Sequence, residues 1–242
     1  MKPAMALLVS MALAGSPALA QDTPAPTPTP VKPVLFHPPD SALPGVLPLR
    51  VGGGSRGAST DGISLITLAP DCVAYTTEAQ PTLYWYQSIT SKHPCQITIT
   101  QVADGQGGKP KSKPLIVLKT DDTVPPGMHA VRLSKLKIEL QPDVTYSWSV
   151  AVVMDPQNRS LDVIANGLIQ RKELASDVAG KVSTSSTADK PSIYAANGYW
   201  YDALKLLNDQ IDQDPKNTAL HSQRASLLDQ VKLDGEKIDR AS

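Results

Sequence analysis

"LQPDVTYSWSVAVVMDPQNRSLDVIANGLIQR", residues 140 to 171, decides how this chain folds. Tyr146, Trp148, Val150 and Val152 alternate with smaller or more polar residues, the period of a strand with one face in a core. A second apolar run, Leu161 to Arg171, follows Asp155-Pro156-Gln157-Asn158, whose Asp and Asn can bond their own backbone and so favour a turn. Upstream, Leu140, Pro142 and Tyr146 stand at the spacing of a tyrosine corner, in which the Tyr hydroxyl bonds back to main chain a few residues earlier. The stretch predicts two antiparallel strands joined by a polar turn. Arg159 and Asp162 are expected to pair beside that turn, and Arg171 to mark the exit of the second strand.

Five further runs of the same type lie upstream, "ISLITLA", "TLYWYQS", "QITITQV", "PLIVLKT" and "MHAVRLS", which makes seven between Ile63 and Arg171. Pro, Gly and Asp separate them. Short strands at this spacing predict a mainly β fold, a seven-stranded antiparallel sandwich of the immunoglobulin or fibronectin type III kind, over residues 52–173. Trp85 and Leu83 on the second strand, and Trp148 on the sixth, are its expected core.

Past residue 173 the period changes. Residues 174–190 lack an apolar period and read as a flexible connector. Trp200, Leu204, Leu207 and Ile211 then recur at i, i+4, i+7 and i+11, one apolar face of a helix, and Leu220, Leu227 and Val231 give a second. A small C-terminal α-helical hairpin over 191–233 follows, with 234–242 as a disordered tail. Ala203, Leu207, Ile211 and Pro215 match the second helix and terminal proline of a tetratricopeptide repeat. Stacked repeats need at least about three units to bury a core, so the pair must dock on the sandwich or on a partner.

The other end of the chain concerns its destination. Lys2, an apolar run from Ala4 to Ala14 and small residues at Ala18 and Ala20 predict a signal peptide over 1–20, cleaved between Ala20 and Gln21. The run is too short to cross a bilayer as a helix, so no transmembrane segment is expected. Residues 21–51 hold nine prolines between Asp22 and Pro48 and read as a disordered, stiff tether. The expected location is periplasmic or secreted. With 23 basic and 23 acidic residues there is no net charge to favour nucleic acid or an anionic membrane.

Chemistry is sparse. Gly53-Gly54-Ser55-Arg56-Gly57 is a literal G-x-S-x-G, but no strand, helix, acid and His stand around it as a nucleophile elbow requires. Cys72 and Cys95 are a candidate disulfide, as two cysteines in an exported chain suggest, and His93 beside Cys95 is the alternative nucleophile pair. The spacing fits no short zinc motif, and no metal or cofactor is expected. Tyr84 and Tyr86 face away from Trp85. They are either an aromatic platform for a glycan or a second buried face under the helices. Asp155, Asp162 and Arg171 supply polar groups for a hydrolase only if the fold brings them together.

Four pieces of sequence carry a family resemblance: Ile66-Thr67-Leu68-Ala69-Pro70, Asp155-Pro156-Gln157-Asn158-Arg159-Ser160, Gly167-x-Ile169-x-Arg171 and Trp200-Tyr201-Asp202-Ala203-Leu204. From about Gly52 to Leu233 the chain resembles the bacterial domain of unknown function 928. The resemblance implies an exported bacterial protein and no assigned activity. It also implies cysteines soon after the Arg-Gly loop and just before the Asp-Pro turn, where this chain has Ala-Ser-Thr-Asp-Gly and Met154. The leading expectation is a non-enzymatic interaction or scaffold module of the cell envelope with a protein or peptide partner. Its expected surface is Tyr84, Tyr86, Asp155, Arg159, Tyr199 and Trp200, and a carbohydrate-binding domain or a hydrolase is the alternative.

Overall fold

In the computed structural model, residues 33–39, 62–102, 114–119 and 123–240 are described. The expected signal peptide, the Ser55 loop and the rest of the Pro-rich tether lie outside the described residues.

Two sheets share one core. Strands β1 (Leu65–Thr67), β3 (Thr82–Gln87) and β6 (Gly127–Arg132) form an antiparallel sheet in the order β1-β3-β6. Strands β2 (Val73–Thr76), β8 (Val163–Arg171), β7 (Thr145–Val152), β4 (Cys95–Gln101) and β5 (Ile116–Lys119) form a second sheet in that order. Leu65, Leu83 and Trp85 of the first sheet and Ile97, Ile99, Trp148 and Val150 of the second belong to the same buried cluster. Eight strands are described where seven were expected. The addition is β2, "VAYT", whose four residues are too few to display a period; it runs parallel to β8, so the five-stranded sheet is mixed.

The expected pair of antiparallel strands joined by a polar turn forms. Strand β7 pairs antiparallel with β8 from Thr145↔Gln170 to Val152↔Val163. At its mouth the Gln141 amide donates to the Tyr146 hydroxyl at 3.1 Å, closing the tyrosine corner, and Asp143 takes the positive φ of 58° that the tight turn needs. Arg171 ties the same corner from the other strand, its Nη1 donating to the Leu140 carbonyl at 3.1 Å.

Six helices are described: α1 (Leu133–Leu136), α2 (Ser176–Thr184), α3 (Lys190–Ala196), α4 (Trp200–Gln213), α5 (Thr218–Asp229) and α6 (Gly235–Arg240). Helices α4 and α5 are the expected pair, and α4 buries Trp200, Leu204, Leu207 and Ile211 as its stripe requires. Two expectations are corrected. The connector at 174–190 contains helix α2, held by buried Val178, and the tail from 234 contains α6, whose Ile238 is buried. Polar contacts rather than an apolar stripe fix α6: Asp239 reaches Arg224 of α5 at 2.6 Å and His221 at 2.9 Å, and Arg224 Nη1 donates to Asn208 of α4 at 2.7 Å. A charge buried as deeply as Arg224 is tolerable only when paired in this way.

Within the expected tether, residues 33–39 are also ordered. Val34 and Phe36 are buried, Leu35 is exposed, and the segment lies against α3, α4 and α5 through contacts to Ala195, Trp200 and Gln230.

Candidate functional site

Three consecutive residues at the start of α4 hold the helices to the sheets. Successive side chains on a helix point about 100° apart, so the first turn of α4 reaches in three directions at once. Trp200 Nε1 donates to the Leu68 carbonyl at 2.8 Å, and the Tyr201 hydroxyl donates to the Leu168 carbonyl at 2.8 Å while accepting from Trp148 Nε1 at 3.0 Å. Asp202 accepts from the Thr77 amide at 3.1 Å and from the Thr77 hydroxyl. Burial raises the Asp202 carboxyl to about 6, against the opposing pull of the Thr77 bonds. Burial also pushes the Tyr201 hydroxyl upward, so it stays a neutral donor.

Gly167 makes this seam accessible. It pairs directly with Trp148, and a Cβ there would lie 2.7 Å from the indole Nε1. Without a side chain at 167 the indole lies across β8 and reaches α4. Tyr199 and Trp200 are therefore anchors, not the exposed binding surface expected of them: Trp200 is fully buried, and the Tyr199 hydroxyl donates to the Glu173 carbonyl at 2.7 Å.

The aromatic platform is corrected as well. Tyr84 and Tyr86 are 6% and 4% exposed, and all six residues of β3 are buried. Asn208 and Asp209 of α4 lie beside the Tyr84 hydroxyl, which burial pushes up to about 12. Of the two alternatives for this face, the structure shows the buried one: α4 lies beside Tyr84, and Tyr86 is buried as well. Tyr75 and Tyr194, both partly exposed, flank the buried Tyr199, with ring centroids 5.7 and 6.2 Å from it.

The turn between β7 and β8 has the opposite character. Pro156 to Ser160 are exposed, yet the loop is tied to itself. The Gln157 amide donates to Asp155 Oδ1 at 2.8 Å, the Asn158 amide to the Asp155 carbonyl at 3.1 Å, and Ser160 Oγ to Asn158 Oδ1 at 2.6 Å. A 3₁₀ turn over Arg159–Leu161 follows. Arg159 Nε binds Asp162 at 2.6 Å as expected, and Nη1 reaches Gln96 on β4 at 3.2 Å, which fastens the loop to the sheet. The Asp162 side chain is 1% exposed and its Oδ1 has no hydrogen-bond partner among the described residues.

The other groupings do not assemble. Asp155 lies in the turn and Asp162 directly precedes β8, whereas Arg171 ends it, roughly 30 Å from Asp162 at 3.3 Å per residue. No single substrate bond spans that gap, so these three residues do not form one site. Cys72 and Cys95 are not bridged. Cys95 is opposite Val152 and so level with the start of β8, whereas Cys72 precedes Val73, opposite Leu168. Three strand spacings of ~4.8 Å and about five residues of ~3.3 Å separate them, well beyond the ~7 Å Cα limit of a disulfide. The Cys95 thiol is buried and faces Gln87 Oε1 at 3.6 Å, so it cannot act with His93 on a ligand from outside. Among the described residues no group of three or more His, Cys, Asp or Glu is placed to hold a metal ion.

One polar cleft was not anticipated from sequence. It encloses about 470 Å³ beside Glu78, Arg132, Lys205 and Asp209. Lys205 Nζ lies 2.7 Å from Asp209 and 3.7 Å from Glu78, so both carboxylates spend their charge on one ammonium. Burial raises Glu78, and Lys205 only partly offsets it. The i,i+4 pair on α4 is visible in sequence, but Glu78 is 127 residues away in the chain from Lys205.

Fold and site together define a class: a two-sheet β protein with a C-terminal helical layer fixed by a Trp-Tyr-Asp anchor and an exposed, self-bonded turn. The chain belongs to the DUF928 family, whose model, described as a domain of unknown function, matches residues 51–241. No curated protein matches the chain. Among the described residues no helix is long and apolar enough to cross a membrane.

Proposed function

We propose that this chain is a non-catalytic interaction module of the bacterial cell envelope that presents the Asp155–Asp162 turn to a protein partner. The observation that carries this is the turn's combination of exposure and internal bonding. A loop whose polar side chains already hold its shape loses little further freedom on binding, so more of its contact energy appears as affinity. Function concentrates on loops held by a rigid scaffold, and here the scaffold is the β7–β8 ladder with Gln96 as an outside brace. Export is supported by the Ala4–Ala14 run and the small residues before Gln21. An immunoglobulin-like arrangement of the two sheets is supported by the shared core and the tyrosine corner. A tetratricopeptide-like α4–α5 pair is supported by Ala203, Leu207, Ile211 and Pro215.

The test is a photoreactive residue placed at Gln157 in cells that express the full chain. A discrete adduct is expected, identifiable by mass spectrometry and suppressed by Asp155→Ala or Arg159→Ala. If no adduct forms at 157, or if it persists unchanged in both variants, the turn is not the recognition surface.

A further inference from the structure

Residues 33–39 carry features of a bound peptide. The segment is extended, with Val34 and Phe36 turned in and Leu35 and His37 turned out, the period of a strand. One side-chain amide reads its backbone at both ends: Gln230 Oε1 accepts from the Phe36 amide at 2.8 Å and Gln230 Nε2 donates to the Val34 carbonyl at 2.6 Å. The His37 amide donates to the Ala195 carbonyl at 3.1 Å. The Phe36 ring meets Trp200 edge-on, with centroids 5.0 Å apart. Pro39 lies against Gly198, where a Cβ would come within 2.7 Å of the proline ring, so the absence of a side chain there makes room for it.

The segment leaves room beside its outward-facing residues. Open clefts flank it on both sides, about 450 Å³ beside Cys72, Val231 and Lys232 and about 560 Å³ beside Lys181, Asp189 and Ile193. Val34 and Phe36 join the core cluster, whereas the spare room lies beside Leu35, His37 and Pro38. A small number of polar contacts fixing the backbone, apolar pockets at alternate residues and spare room at the remaining positions are the marks of a peptide-recognition site.

We propose that the cleft between α3, α4 and α5 is such a site and that residues 33–39 occupy it as an internal ligand. Its external ligands are extended peptides with the chemistry of the internal one: a branched apolar residue, a spacer, an aromatic residue, two spacers and a proline. Tethering gives the internal segment a local concentration on the order of millimolar, so a free peptide binds well only when that segment is unseated. The site is separate from the β7–β8 turn, and either can fail without the other.

The test uses the full chain with Val34→Asp and Phe36→Asp, which unseat the segment, and a fluorescein-labelled synthetic peptide of residues 32–40 as the probe. Saturable anisotropy change is expected with the variant, and binding at least about tenfold weaker with the parent chain. Adding Gln230→Ala to the variant is expected to weaken binding by about tenfold, because both backbone bonds are lost. Two results overturn the proposal. One is a variant that keeps its far-UV circular dichroism yet takes up no peptide. The other is a variant that no longer unfolds cooperatively, which would make residues 33–39 an integral part of the core. Loss of adducts at Gln157 bears only on the turn.

Discussion

The seam at Trp200-Tyr201-Asp202 and the turn at Asp155–Asp162 use similar chemistry for opposite ends. Both crowd aromatic or charged residues into a short stretch, and from sequence Trp200 was expected on a binding surface along with Asp155 and Arg159. Burial parts them: Asp202 is 6% exposed, whereas the Arg159 side chain is 46% exposed. The reach of their bonds parts them further. Trp200, Tyr201 and Asp202 bond to groups 132, 33 and 125 residues away, while most bonds in the turn close within three residues. Long-range bonds fix one part of a fold to another; short-range bonds shape a loop and leave its outer surface available.

Substitutions should separate the two regions by size of effect. Trp200→Ala removes a fully buried indole that joins the layers and is expected to cost about 3–5 kcal/mol in denaturant unfolding. A loss below about 1 kcal/mol would mean the helices are only loosely applied.

Asp202 should leave a pH signature. Its folded carboxyl is raised to about 6 from an ordinary value of 3.8, so between these limits the folded state holds the proton more firmly. Its contribution is fully present below the unfolded value and is lost as pH rises through about 6. About two units correspond to roughly 3 kcal/mol. Unfolding free energies of the parent and of Asp202→Asn, compared at several pH values, should show this component in the parent and none in the variant.

Tyr201→Phe strands the Trp148 indole N–H and loses the bond to Leu168, for an expected loss of about 2 kcal/mol by chemical denaturation. At the turn, Asp155→Ala should change stability by no more than about 0.5 kcal/mol, because the bond it accepts from the Gln157 amide is exposed. Adduct formation at Gln157 should nonetheless be lost. A large stability change there would recast the turn as a second seam.

Periodicity made the β ladder and the α4 stripe legible: Tyr146 to Val152 and Trp200 to Ile211 each repeat long enough to fix a face. It failed where elements are short or held by polar bonds. Strand β2 has four residues, and α6 is anchored mainly through Asp239 to the buried Arg224. The prolines around Val34 and Phe36 hid a docked segment, since a Pro-rich composition describes a free chain and a bound extended one equally well. Of the expected surface, Asp155 and Arg159 do converge on one exposed loop, whereas Tyr84, Tyr86, Tyr199 and Trp200 are buried. Sequence shows an aromatic residue's spacing but not what will cover it. Glu78 meeting Lys205 was beyond reach for the same reason, being a product of how α4 lands on the sheets.

Helix α4 is continuous with the β body, not an arm attached to it. Native-state hydrogen exchange reads this directly, because the Thr77 amide bonds Asp202 and the Ala203 amide lies in the first turn of α4. These amides should exchange only through the same global opening as the β7–β8 ladder, with the same free energy. Exchange of α4 and Thr77 through a separate opening, about 2 kcal/mol or more below that of β7–β8, would contradict it.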